Sequence, residues 1–99
     1  MKTYRGERTI DGIKVTVDGK PLPPHDEVRR LSSNGFEWSF EGPEPAQLAL
    51  AILVDHFGRP EPALEHYQAF MREMIAEFGN EWELTGGEID AALGRPEGG

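Results

Sequence analysis

Three histidines (His25, His56, His66) and three serines (Ser32, Ser33, Ser39) are the residues here whose types could bind a metal or act as nucleophiles. A metal site needs two or three ligands converging at tight spacing, and these histidines are dispersed. There is no cysteine to add a thiolate or a disulfide. His56 follows Asp55 near an expected helix C-terminus, where the dipole favours an imidazolium, and that position accounts for it. The closest grouping, His56 with His66 and Glu65, would need two antiparallel helices to assemble it, and isolated histidines are more often structural. No serine lies in a Gly-x-Ser-x-Gly turn. Glu37 and Glu41 would project from one face of a strand, where paired carboxylates can do acid–base work but are ordinarily just solvated. The residues therefore predict no catalytic group, no metal and no cofactor.

What remains is charge. Residues 1–40 are nearly balanced, whereas residues 41–99 hold twelve acidic groups against Arg59, Arg72 and Arg95. The whole chain carries a formal net charge of −8. Such a surface repels a phosphate backbone, so direct nucleic-acid binding is not expected. Solubility is the plain explanation of the acidity. The sharper one is an acidic face that docks on a basic protein, carried by Glu61, Glu65, Glu73 and Glu77. Its extreme form is mimicry of a nucleic-acid backbone. Arg29-Arg30, flanked by Asp26 and Glu27, reads as a solvated turn.

These side chains must be positioned by the elements of one small domain, residues 1–93, with 94–99 as a frayed tail. At 37% hydrophobic and 28% charged, the chain falls among globular rather than disordered sequences. The longest apolar run is too short for the roughly 20 residues that cross a bilayer, so no membrane partner is expected. Met1 to Gly6 has no apolar core of a secretory signal, which predicts a cytoplasmic protein. Asp11-Gly12 and Asp18-Gly19 flank Ile13-Lys14-Val15-Thr16-Val17, the pattern of two hairpin turns of type I′ around a strand. Tyr4 to Ile10 is the preceding strand and Lys20 to Leu22 a short third, stopped by Pro21, Pro23 and Pro24. Phe36, Trp38 and Phe40 alternate with polar residues and predict a strand with an inward aromatic face.

A buried helix follows from about Pro43 to Phe57, apolar throughout Ala46–Val54 except at Gln47, with Gly58 beyond its end. A second, amphipathic helix spans about Pro62 to Phe78. Trp82 and Leu84 read as core contacts in a connection. Thr85 and Glu88 form a capping box for a third helix that turns Ile89, Ala92 and Leu93 inward. The predicted class is α+β: a small antiparallel sheet of three to four strands with three helices packed on one face.

The run Gly35-Phe-Glu-Trp-Ser-Phe, then Pro45-Ala-Gln-Leu-Ala-Leu-Ala-Ile-Leu, resembles a family of small domain-of-unknown-function proteins found in bacteria, archaea and their phages and plasmids. The resemblance covers most of residues 4–93, including Tyr4-x-Gly6, Tyr67-Gln68-x-Phe70 and Trp82-x-Leu84-Thr85. It implies no established activity. The family's corner before the helix is usually Gly-Gly-Ser-Gly-Pro. Here it is Glu41-Gly42-Pro43-Glu44-Pro45, whose glutamates and second proline argue against an anion at the helix N-terminus. Together these readings predict a non-enzymatic interaction module, an accessory or host-interaction factor of a phage or mobile element. The alternative is a small-ligand sensor or minor enzyme with a pocket between the sheet and the first helix.

Overall fold

Turn chemistry shapes the first third of the molecule, a computed structural model that describes residues 2–94. Strands β1 (Thr3–Thr9) and β2 (Gly12–Val17) pair antiparallel, with Tyr4 opposite Val17 and Thr9 opposite Gly12. At the second Asp-Gly pair both residues take positive φ, 50° at Asp18 and 83° at Gly19, as a type I′ turn requires. It leads into β3 (Lys20–Pro21). The first Asp-Gly pair departs from that expectation. Ile10 and Asp11 form the turn, and Gly12 alone takes the positive φ, at 114°. This leaves Ile10 fully exposed at the hairpin tip.

The sheet has four strands in the order β3-β2-β1-β4, where β4 is Glu81–Thr85, antiparallel to β1. Two expectations are corrected here. Trp82 and Leu84 belong to a strand, not a connection. Phe36–Phe40 is irregular, with a φ of 79° at both Gly35 and Ser39, which no strand tolerates. Its backbone is satisfied from elsewhere: Arg8 donates to the Trp38 carbonyl at 3.0 Å, and Ser39 N–H donates to the Ile75 carbonyl at 3.1 Å. Trp38 is nonetheless fully buried, while Phe40 turns outward, 46% exposed.

Helix α1 (Pro43–Phe57) begins with prolines in its first turn and ends at Gly58, whose φ of 74° lets its N–H reach the Val54 carbonyl. Helix α2 (Pro60–Glu73) is shorter than its apolar stripe predicts. Met74, stretched to φ −119°, still donates to Phe70 O at 2.9 Å, and a single 3₁₀ turn, Ile75–Glu77, follows. Ser39 binds the chain past this point, its N–H donating to Ile75 O at 3.1 Å and its Oγ to Phe78 O at 2.5 Å. Helix α3 (Gly86–Ala92) carries both halves of the expected capping box. Its inward face differs from expectation: Ile89 and Asp90 are buried and Ala92 is exposed.

The core lies between the sheet and the helices. Every residue from Leu48 to Leu53 has no exposed surface, because α1 meets Tyr4 and Trp38 on one side and α2 on another. Gly6 makes room for Trp82 across the β1–β4 pair. A Cβ there would stand 2.3 Å from the indole. Trp82 stacks on Phe78 at 4.6 Å and meets Trp38 edge-on at 5.7 Å and 85°. These side chains fill the centre of the layer between sheet and α1, while a concavity of about 650 Å³ at its rim is lined by Ile13 and Val15 of β2 and Glu44 of α1.

Candidate functional site

Most polar groups that sequence could nominate for chemistry are engaged in holding the fold. Gln47, the one polar residue in the apolar run of α1, is 1% exposed and makes four hydrogen bonds. Its Oε1 accepts from Leu31 N–H at 2.6 Å and Ser32 N–H at 3.1 Å. Its Nε2 donates to the carbonyls of Pro24 at 2.8 Å and Arg29 at 3.1 Å. One amide thereby pins the irregular segment after β3, whose buried backbone groups need partners. Ser32 Oγ donates to Gly35 O and accepts from Asn34 N–H, so it too serves a turn.

Two of the three histidines are similarly occupied. His56, in the last turn of α1, shares a 2.8 Å contact with Asp90 of α3, whose side chain is 5% exposed. His25 Nδ1 lies 2.8 Å from Glu27. That bond holds the exposed Glu27 carboxyl below its usual range. The grouping of His56 with His66 and Glu65 is replaced by the His56–Asp90 pair. Among the described residues no three His, Cys, Asp or Glu side chains come close enough to hold a metal ion.

A further cluster joins the start of β1 to the end of α1. Tyr4 Oη donates to Asp55 Oδ2 at 2.7 Å, and Lys2 Nζ donates to the same oxygen at 3.1 Å. Burial, then the Asp55 hydrogen bond and charge, push the Tyr4 phenol far above the ordinary tyrosine range. It therefore stays protonated, a donor that locks sheet to helix. A concavity of about 770 Å³ opens beside Lys2 and Asp55, with Arg59 and His25 on its wall.

The four glutamates expected to meet a partner are all exposed, and none makes an ion pair. Glu61 and Glu65 lie one turn apart on the outer face of α2. Arg72 continues that face, whereas Glu73 is the last helical residue. Glu77 lies beyond the break at Met74, so the helical one-turn spacing of Glu73 and Glu77 does not hold. The structure thus brings together Glu61 and Glu65 and separates the other two from them.

Arg8 and Glu37 form a pair that sequence reading missed. Arg8 Nη2 lies 2.9 Å from Glu37 Oε1, and the guanidinium stacks on Trp38 at 4.6 Å. Glu37 is therefore anchored and does not share a free face with Glu41. The outer face of the sheet was also underread. Thr3, Arg5, Glu7, Lys14, Glu81 and Glu83 line a broad concavity of about 860 Å³ there, with Arg5 and Glu83 paired at 3.0 Å.

Residues 4–95 match the model of a family of unknown function, DUF6166. No curated protein and no solved structure matches the chain. No helix among the described residues is long and apolar enough to cross a membrane.

Proposed function

The chain belongs to the DUF6166 family, and from that premise we propose that it is a small acidic protein-interaction module without catalytic activity, working in the cytoplasm. The observation that carries this reading is the state of its carboxylates. Buried or anchored ones (Asp55, Asp90, Glu37) hold elements together, while Glu61, Glu65, Glu73 and Glu77 stand in solvent with no cation spent on them. The partner is a protein with a basic surface, and the acidic field of α2 and the following turn speeds the encounter. A role as an accessory or host-interaction factor of a phage or mobile element fits such a module.

Affinity capture from the native host with mass spectrometry names the partner. Reversing two charges, Glu73→Lys with Glu77→Lys, then tests the surface. The expected outcome is an association rate that falls with the double reversal and with rising salt, since screening acts over roughly 8–10 Å. A rate indifferent to both removes Glu73, Glu77 and the turn after α2 from the account.

A further inference from the structure

β4 is an edge strand whose outer side has no partner among the described residues. The direction of its backbone groups follows from the ladder. Gly86 N–H donates to Lys2 O, just past the end of the β1–β4 pair. Hydrogen-bonded and non-hydrogen-bonded pairs alternate in an antiparallel ladder. Leu84 and Trp82, two and four residues back, therefore turn their N–H and C=O groups toward β1. The other edge of β1 agrees: Asp18 N–H donates to Thr3 O, so Thr3, Arg5 and Glu7 face β2. Glu83 and Glu81 are left with backbone N–H and C=O groups pointing away from the sheet. Thr85 N–H, the next outward group, is taken by the Glu88 carboxylate at 2.9 Å. The open stretch thus has a defined end.

We infer that this edge accepts an extended segment of a basic protein as a fifth strand, with lysine or arginine at alternate positions. Backbone bonds to Glu83 and Glu81 would supply attraction, as in other strand additions. Side chains directly opposite on a shared face sit about 4.5–5.5 Å apart, so basic residues two apart on the incoming strand meet Glu81 and Glu83, the latter already paired on its other side with Arg5 at 3.0 Å. Glu81 gains most. Its neighbour across β1 is Glu7, a like charge directly opposite, and relief of that repulsion adds to the pairing. The intervening residues of the segment fall beside Trp82 and Leu84 and should be apolar. A second copy of the chain is disfavoured by the same chemistry. An antiparallel β4–β4 pair centred on Glu83 would set that carboxylate against its own copy.

This surface is separate from the outer face of α2, so the two readings fail independently. The probe is a synthetic peptide alternating lysine with valine, alongside a control with glutamate for lysine, titrated into isotope-labelled protein and followed by amide chemical shifts. The lysine peptide is expected to shift Glu81 to Thr85 and to slow exchange of the Glu83 amide, while the glutamate peptide does neither. Glu83→Pro deletes an outward N–H, which an edge strand tolerates, together with the carboxylate, and should weaken binding roughly tenfold. Glu81→Lys with Glu83→Lys, which leaves the backbone intact, should do the same. Shifts confined to α2, no binding by the lysine peptide, or β4 shifts that grow with protein concentration alone would each overturn the inference.

Discussion

Phe36–Phe40 and Glu81–Thr85 are two short segments with the same pattern and opposite fates. Each alternates polar and apolar residues about a tryptophan, and each buries that tryptophan in the same core. One is a strand with a full ladder to β1. The other is an irregular run whose backbone bonds go to an arginine side chain and to the turn after α2. Alternation predicts which side chains go inward. It does not say which backbone will pair, because that depends on an available edge. β1 has two edges, and β2 and β4 occupy them.

The largest effect should come from the irregular segment. Trp38→Ala is expected to cost about 3–5 kcal/mol in urea unfolding, as large aromatic truncations in cores do. A loss below the range for a surface change, about 0.5 kcal/mol, would mean the segment is a passive cover and the comparison is lopsided. Gly6→Ala strikes the strand segment instead. Its new methyl meets the indole of Trp82, and overpacking of this kind costs about 1–3 kcal/mol. Amide exchange should then quicken in β4 while the Phe36–Phe40 amides stay as they were. Equal quickening in both would show that the two segments open as one unit.

The finest test changes pH. The folded Tyr4 phenol ionises far above its unfolded counterpart, so its stabilisation is fully present below about pH 10 and is lost as pH rises from there toward the folded value. Tyr4→Phe should therefore flatten part of the alkaline fall in stability. An alkaline limb of unchanged slope in the variant would remove the tyrosine from the linkage.

The class, the helices and the capping box were legible in sequence because each rests on local signals: period, prolines, Gly58, and Thr85 with Glu88. β4 carried the same alternation as Phe36–Phe40 and was overlooked because an aromatic triplet is the stronger local pattern. The end of α2 was illegible, since the apolar spacing runs unbroken through Met74, Ile75 and Phe78 while the backbone tightens to a 3₁₀ turn at Ile75–Glu77, where Ser39, thirty-odd residues earlier in the chain, binds the Ile75 and Phe78 carbonyls. Gln47 was visible as an interruption in the apolar run, but its four partners come from a loop without periodicity. The acidic residues were legible as charge. Their division into anchored and open groups depended on tertiary partners such as Arg8 and His56.

The edge-on meeting of Trp38 and Trp82 has an optical consequence. Two indoles this close and nearly perpendicular couple their electronic transitions, and the coupled pair imprints a signed couplet on the circular dichroism of the folded chain. One ring belongs to the irregular segment and the other to β4, so the couplet exists only while the two are docked. Separation of the segment from the sheet would erase it even where every helix persists, which gives the protein a native reporter of that one contact.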